Sequence, residues 1–468
     1  MPHSISLGVK DTEKQNKSIP VPHAGVVPSS GREISEELLH RLPQAIKHFF
    51  PKFKTSLRQI PDNRKTADYK LSEIMMGGIS MYILKEGSRN SYNNDRMDSN
   101  FRENYKKLFE GMDLPHMDTV DDVYRKMDMK ELEKVKVKML RELMEKKVLH
   151  KYRLKGKYFL VAVDATGVMS FSQRHCDKCL TKISKNGKQS WFHNVLEAKL
   201  ITPNGLSLSL ATEWIENEEK SYDKQDCEIK AFDRLAKKLK RDFPRLPICI
   251  VGDGLYPNQR FFNICRENSW EHILVLKDGN LPTVWEEVKL LLPLNKEKRQ
   301  KVCQIQKAKE ITTEYRWLNE IDYKGYKLNW IKTTEVIKSE DKQEVKKFVH
   351  ISSIEINEKS AAQISFFGRL RWKIENEGFN EQKNNGYQLE HKYSEVSLTA
   401  SKNYYQSLQI ASIINQLLVL GQKLKRYIGQ KITIKNIWKN LIAFLLYAKV
   451  DEEKITDFLS RRVQIRLE

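Results

Sequence analysis

The stretch that decides the fold reads Tyr-Phe-Leu-Val-Ala-Val-Asp at residues 158–164. A second stretch, Ile-Cys-Ile-Val-Gly-Asp at residues 248–253, has the same character. Both are short, apolar and rich in β-branched side chains, which predicts buried strands. Each ends on an aspartate, Asp164 or Asp253, and a carboxylate there points to the edge of the sheet where ligands collect. The two stretches therefore predict an α/β fold with acidic side chains at the strand ends.

Three further strands are predicted in the same region. Polar and apolar residues alternate in strand fashion at 195–201, 206–215 and 272–277, and a helix is predicted at 226–241. Acids in the first turn of this helix, including Glu228, fit the helix dipole. Glu228 could reach the rim of the predicted site, but we keep it outside the three acids because a role at the helix N-terminus is sufficient. The order strand, strand, strand, helix, strand, helix, strand is that of an RNase H-like core, in which the acids of the first and fourth strands become neighbours.

A third acid lies in a stretch of helical character. Residues 369–383 read Arg-Leu-Arg-Trp-Lys-Ile-Glu-Asn-Glu-Gly-Phe-Asn-Glu-Gln-Lys, and steps of four place Arg371, Glu375 and Lys383 on one slowly drifting helix face. Three carboxylates that are distant in sequence can hold two Mg²⁺ ions beside a phosphodiester. The alternative is that Asp164, Asp253 and Glu375 are ordinary turn and surface acids.

The composition indicates a polyanionic partner. The chain has 82 Lys and Arg against 61 Asp and Glu, a net charge of +21 and a pI near 9.4. Nucleic acid is the leading candidate, because a basic surface binds the phosphate backbone. The most apolar stretch, 410–420, is interrupted by polar residues, and the N-terminus lacks the pattern of a signal peptide, so we expect no membrane partner and a cytoplasmic, nucleoid-associated protein.

Changes in periodicity divide the chain into six predicted regions. They are a mobile N-terminal arm at 1–33, a helical and DNA-binding domain at 34–150, the first part of the catalytic core at 151–282, a β-rich insertion at 283–349, the second part of the core with the Glu375 helix at 350–396, and a helical C-terminal region with a basic tail at 397–468.

Together these motifs resemble the DDE transposases of bacterial insertion sequences, in the cut-and-paste branch with a Tyr-Arg-Glu-Lys signature and a β-rich insertion in an RNase H-like core. The resemblance covers about residues 157–393, and its sharpest parts are 161–167, 250–256 and 371–380. It implies that Asp164, Asp253 and Glu375 are the catalytic residues and the ligands of two Mg²⁺ ions, for which Mn²⁺ can substitute.

The resemblance also implies roles for residues near Glu375. Arg371 corresponds to the signature arginine. The signature tyrosine would fall on Gly368 and the signature lysine on Gln382, so the chain departs from the pattern at both positions. Lys383 can serve in place of the lysine by a shift of one residue, and we expect Arg371 and Lys383 to contact DNA phosphates.

Aromatic and basic residues interleave in the predicted insertion, as in Tyr315-Arg316-Trp317. This composition suits binding of the DNA backbone and stacking on an extruded base, so we predict that Arg316 and Trp317 contact DNA. The alternative is a set of strands with one polar face.

A cysteine cluster stands apart from the predicted acid site. The spacing Cys-x-x-Cys is formed by Cys176 and Cys179, directly after His175, and His193 follows on the approach to the next strand. The four residues could form a zinc site without help from other parts of the chain. Because no second Cys-x-x-Cys completes the pattern, we interpret the cluster as a loop with reduced thiols and leave zinc as the alternative.

The expected function is that of the family the chain resembles. A transposase binds the terminal inverted repeats of its element, cuts DNA at each end and joins the freed 3′ hydroxyls to target DNA, which implies a homodimer on DNA. The alternatives are a structure-specific nuclease or resolvase on the same fold, and a non-catalytic DNA-binding protein derived from a transposase.

Overall fold

The computed structural model describes residues 31–217, 224–306, 309–339, 342–421 and 433–461. Nearly all of the predicted N-terminal arm, and the basic tail beyond Arg461, lie outside the described residues.

The protein is built on a mixed sheet, and helices flank it. Its ten described strands are β1 (Phe159–Phe171), β2 (Leu180–Ile183), β3 (Gln189–Ile201), β4 (Ser207–Ile215), β5 (Ile248–Gly252), β6 (Glu271–Val275), β7 (Arg299–Gln306), β8 (Lys309–Tyr323), β9 (Tyr326–Lys338) and β10 (Gln343–Ser352). The order across the sheet is β2-β3-β1-β5-β6-β10-β9-β8-β7, and β4 also pairs with β3. The predicted α/β class is confirmed.

The strands of the sheet run in both directions. β1 is antiparallel to β3 and parallel to β5, and β5 is parallel to β6. β10 is antiparallel to β6, so the four strands from β7 to β10 extend the same sheet. The β-rich character predicted at 283–349 is therefore present, as a continuation of the central sheet.

Seven described helices precede the sheet in the sequence: α1 (Gly31–Phe49), α2 (Phe53–Arg58), α3 (Leu71–Ile83), α4 (Arg89–Met97), α5 (Ser99–Leu108), α6 (Met117–Tyr124) and α7 (Lys130–Glu145). The helices between and after the strands are α8 (Glu228–Asp242), α9 (Gln259–Asn268), α10 (Pro282–Leu291), α11 (Glu358–Arg369), a π-helix (Ile374–Asn380), α12 (Glu381–Asn384), α13 (Leu398–Val419), α14 (Ile434–Tyr447) and α15 (Glu452–Ser460).

Polar side chains cap several of these helices. The side chains of Ser88, Asn258, Asn357 and Ser397 each accept a hydrogen bond from a backbone N–H in the first turn of α4, α9, α11 and α13. Such caps satisfy N–H groups that have no partner inside the helix, which fixes where each helix begins.

The two faces of the sheet are covered by different hydrophobic clusters. Val161 and Val163 of β1 belong to the larger cluster, which includes side chains of α8 and α9. Leu160 and Ala162 belong to a second cluster with side chains of α11 and the π-helix. Alternate residues of a strand point to opposite faces, so Asp164 continues the face on which Leu160 and Ala162 lie.

The N-terminal and C-terminal helices form one helical body. α3 packs against α13, and α1 packs against α14 and α15. Trp438 Nε1 donates a 2.7 Å hydrogen bond to the carbonyl oxygen of Ile83, and Asn104 Nδ2 donates a 2.7 Å hydrogen bond to that of Ala448. The described residues of the two regions that periodicity separates, 34–150 and 397–468, thus share one core.

No helix among the described residues has both the length and the apolar character needed to span a membrane.

Gly368 provides a test of how closely α11 packs on the sheet. A Cβ at this position would lie 2.8 Å from His350 Cδ2 and 2.9 Å from Ile273 Cγ2. We expect Gly368→Ala to lower the free energy of unfolding by about 1–3 kcal/mol, because overpacking outweighs the better helix propensity of alanine. Urea titration monitored by circular dichroism measures this change.

The matched control is Gly167→Ala, whose added Cβ would meet Asn194 Oδ1 at an ordinary 3.6 Å. This variant should unfold at the same urea concentration as the wild type or slightly above it. Equal stability of Gly368→Ala and Gly167→Ala would contradict the tight packing at Gly368.

Candidate acidic site at the ends of the central strands

The two aspartates occupy corresponding positions on adjacent parallel strands. β1 and β5 are paired with Ala162 opposite Val251. Asp164 and Asp253 each follow two residues later, and Asp253 comes directly after the last residue of β5. Both side chains are partly exposed. The strand register therefore places two carboxyl groups beside each other where the β1–β5 pairing ends.

The third acid, Glu375, lies in the π-helix and not in the continuous α-helix that the sequence predicts. α11 ends at Arg369, and the π-helix begins at Ile374. Ile374 and Phe379 are buried against the sheet, whereas Glu375 is partly exposed. A π-helix bonds five residues back and often occurs at functional sites. The spacing of four residues, from which the common face of Arg371, Glu375 and Lys383 was predicted, therefore does not hold through the π-helix.

Electrostatic interactions connect the three acids. Burial raises the pKa of Asp164 to about 6; the charges of Asp253 and Glu375 also raise it, whereas Arg371 and the backbone N–H of Ala165 lower it. Arg371 Nη1 lies 3.6 Å from Asp164 Oδ2. The strand register sets Asp253 beside Asp164, and the π-helix that carries Glu375 packs against β1, so the two charges act on Asp164 from adjacent elements.

A fourth acid, Glu228, joins this group from the first turn of α8. Burial raises the pKa of Glu228 to about 7; a hydrogen bond from the Tyr256 hydroxyl lowers it, and the charges of Asp164 and Asp253 raise it. From the sequence Glu228 is expected to be able to reach the rim of the site, and it is kept outside the three acids because a role at the helix N-terminus is sufficient. The position of Glu228 in the sequence could have indicated this proximity. A helix that leads into β5 begins near the end of the sheet where β5 finishes, and Glu228 is the first residue of that helix.

Two cations contact the aspartates directly. Arg371 is largely buried, with 12% of its side chain exposed, and its Nε is buried without a hydrogen-bond partner among the described residues. Lys277 Nζ lies 3.2 Å from Asp253 Oδ2; sequence reasoning had no signal for this lysine, which follows β6. Lys383 Nζ pairs with Glu390 Oε1 at 2.7 Å and makes no described contact with the acids.

The two departures from the signature have physical explanations in the packing. Gly368 lies against the His350 ring, where a tyrosine side chain does not fit. Gln382 is buried, and its Oε1 accepts a 3.2 Å hydrogen bond from Lys199 Nζ. A lysine at position 382 would place two ammonium groups side by side in the interior, at a large electrostatic cost.

The predicted DNA contacts Arg316 and Trp317 lie on β8. Trp317 is 4% exposed and packs in the second hydrophobic cluster, so its ring is closed to a stacking base in this conformation. Arg316 is partly exposed, and its Nε donates a 3.0 Å hydrogen bond to Glu314 Oε1. DNA contact by Arg316 stays a prediction, and base stacking by Trp317 would require the strand to move.

The donor chemistry of the acid group fits a hard divalent cation, since carboxylate oxygens are the ligands that Mg²⁺ prefers. Burial is the main cause of the raised pKa values of Asp164 and Glu228, and the charges of neighbouring carboxylates add to it: Asp253 and Glu375 act on Asp164, and Asp164 and Asp253 act on Glu228. A bound cation would relieve this charge repulsion. Within the described residues, however, the group whose ligand atoms all lie within 4.8 Å of one another is the cluster of His175, Cys176, Cys179 and His193, and not the acids.

No protein-family model matches the chain. No curated protein matches its sequence either.

The raised pKa of Asp164 predicts a dependence of stability on pH. In the presence of a chelator no cation compensates the charge of Asp164, and the ionised carboxyl group destabilises the fold above a pH of about 6. This destabilisation vanishes below about pH 4, where the carboxyl group is protonated in both the folded and the unfolded protein. We expect Asp164→Asn to raise the free energy of unfolding by about 1–3 kcal/mol at about pH 7.5 and to leave it unchanged at about pH 3.5.

The control is Asp278→Asn, which removes an exposed carboxylate after β6. Its stability should match that of the wild type at both pH values. If Asp164→Asn gave the same gain at both pH values, or none at the higher one, the raised pKa would be refuted.

Proposed function

We propose that the chain is a metal-dependent DDE transposase of an insertion sequence. It would bind the terminal inverted repeats of its element, cut DNA at each end and join the freed 3′ hydroxyls to target DNA. The observation that carries the proposal is geometric: the register of β1 and β5 sets Asp164 beside Asp253, and the π-helix that carries Glu375 packs on β1.

The topology of the sheet supports an RNase H-like catalytic core. The strands β4, β3, β1, β5 and β6 follow one another in space, with β3 antiparallel to β1 and with β5 and β6 parallel to it. Elements α10 and β7–β10 lie between β6 and α11 in the sequence, as an insertion would. The Glu375 π-helix then returns to the face of β1 that carries Asp164.

Asp164, Asp253 and Glu375 are the residues that would hold two Mg²⁺ ions, with Mn²⁺ as a substitute. When bound, such ions activate the attacking oxygen and stabilise the leaving oxygen of a phosphodiester. The charges of both aspartates act on Glu228, and with its pKa raised to about 7 Glu228 carries only part of a negative charge at neutral pH. Its hydrogen bond from Tyr256 holds it at the rim of the site, which suits a positioning role.

Arg371 is the residue best placed to bind a scissile phosphate. Without DNA it contacts Asp164 and lies over the Trp372 ring at 5.2 Å from the ring centroid. Neutralisation of Asp164 would release the guanidinium group, which binds phosphate oxygens through two parallel hydrogen bonds. The net charge of +21 supplies the wider attraction to the DNA backbone.

The proposal predicts cleavage and joining of DNA that carries the ends of the element. The DNA on either side of the gene should contain inverted repeats, and labelled oligonucleotides with these repeats are the substrate. The wild type with Mg²⁺ should nick the ends and join them to a plasmid. Asp164→Asn should lose at least about a thousandfold in rate, since it removes a shared metal ligand, while still binding the end DNA.

Asp278→Asn serves again as the control and should retain full activity. Full activity of Asp164→Asn would refute the assignment of the site. Cleavage without joining would instead identify a nuclease or resolvase, and end binding without cleavage by the wild type would identify a DNA-binding protein.

The role of Arg371 is tested by a matched pair of arginines two residues apart. Arg371→Ala should reduce the rate of cleavage by about 10- to 1000-fold, because it removes a charged hydrogen-bond donor to the phosphate. Arg369→Ala is the control, since Arg369 pairs with Glu335 and stacks on Phe348, away from the acids. Equal rates for the two variants, at equal fractions of folded protein by circular dichroism, would contradict a role of Arg371 in phosphate binding.

A further inference from the structure

The Cys-x-x-Cys loop and a histidine of β3 form a compact cluster outside the acid site. The two sulfur atoms of Cys176 and Cys179 lie 3.7 Å apart. His193 Nε2 lies 3.5 Å from Cys176 Sγ and 3.3 Å from Cys179 Sγ. The ligand atoms of these three residues and His175 all lie within 4.8 Å of one another.

The three distances among Cys176, Cys179 and His193 are those of a tetrahedral metal site, and His175 lies close enough to supply the fourth ligand. With bonds of about 2.3 Å from zinc to sulfur and about 2.0 Å from zinc to nitrogen, a tetrahedron separates two sulfurs by about 3.8 Å and a sulfur from a nitrogen by about 3.5 Å. A disulfide would bring the sulfurs to about 2.0 Å, and both cysteines are free. Two sulfur and two nitrogen donors in this geometry select zinc among common metals.

The register of the sheet explains why these residues meet. β2 pairs with β3 with Leu180 opposite Phe192, so Cys179, one residue before β2 begins, falls across from His193. His193 is 0% exposed and Cys179 is 1% exposed, so both are held inside the fold. In the turn between the cysteines, the backbone N–H of Cys176 lies 3.4 Å from Cys179 Sγ, and that of Cys179 donates to the Cys176 carbonyl oxygen.

His175 is oriented as a fourth ligand by its surroundings. Its ring stacks on Phe171 at 4.2 Å between centroids and 7° between planes. Its Nε2 lies 2.5 Å from the carbonyl oxygen of Glu395, which leaves Nδ1 as the ligand atom. This Nδ1 is buried without a hydrogen-bond partner among the described residues. A metal-binding histidine commonly donates its other N–H to a carbonyl in this way.

We propose that His175, Cys176, Cys179 and His193 bind one zinc ion in a closed, structural site. Four protein ligands leave no open position for a substrate, so the ion stabilises the fold and takes no part in a reaction. The bound ion would link the loop that joins β1 and β2, which carries three of the ligands, to strand β3, which carries His193. Through the hydrogen bond between His175 and Glu395, it would also fasten this loop to the segment that follows the Glu375 helix.

The first experiment is metal analysis of protein purified with a reductant and without chelator. The wild type should carry about one zinc ion per chain, and the double variant Cys176→Ser with Cys179→Ser should carry less than about a tenth of this amount. The matched control is Cys227→Ser with Cys303→Ser, which removes two exposed thiols and should keep the full zinc content. Absence of zinc from the wild type, or its retention by the Cys176 and Cys179 double variant, would overturn the proposal.

A second measurement on the wild type covers the case in which the double variant does not fold. Zinc should slow alkylation of the partly exposed Cys176 by iodoacetamide at least about tenfold, since a coordinated thiolate is shielded, while the exposed Cys227 and Cys303 react equally fast with and without zinc. Cobalt added to the metal-free wild type should give the thiolate charge-transfer absorption of a tetrahedral site. Equal alkylation with and without zinc, or no such absorption, would overturn the proposal.

This inference does not rest on the proposed function. Asp164→Asn should retain the zinc ion, because Asp164 is not among the four ligands. Loss of catalysis in that variant and loss of zinc in the cysteine variant can therefore be told apart.

Discussion

The strand β1 imposes the constraint on which the rest of the structure depends. It is paired on both sides, antiparallel with β3 and parallel with β5. Val161 and Val163 fill one face, and Leu160 and Ala162 fill the other. A shift of one residue would exchange the two faces and would turn Asp164 away from the π-helix that carries Glu375. Burial of both faces thus determines where the acids meet.

A buried layer of charged and polar side chains joins the sheet to the helical body. Lys136 of α7 donates to Thr212 at 3.0 Å, and Tyr405 of α13 donates to Glu197 Oε1 at 3.0 Å. Burial lowers the pKa of Lys199 to about 8, and its ammonium group donates to Gln382. Since an unpaired buried charge is costly, the bond between Lys199 and Gln382 holds α12, and with it the adjoining π-helix, in one position relative to β3.

The local pattern of polar and apolar residues in the sequence predicts most of the secondary structure. The predicted strands at 158–164, 195–201 and 206–215 lie within or almost within β1, β3 and β4, because a strand buried on one or both faces shows its period in the sequence. The helix around Glu375 was predicted as continuous, since the pattern of apolar residues does not separate a π-helix from an α-helix. The short strand β2 was missed because its four residues carry no clear period.

By itself the sequence determined the mixed α/β class, the basic charge, the candidates Asp164 and Asp253, and the Cys-x-x-Cys spacing, all of which depend on residue type and short separations. Only the tertiary structure decided that Glu228 approaches the two aspartates and that His193 completes the cysteine cluster. The reason is physical: residue type and periodicity report which face of an element is buried, whereas the distance between remote side chains is set by strand register and by packing between elements.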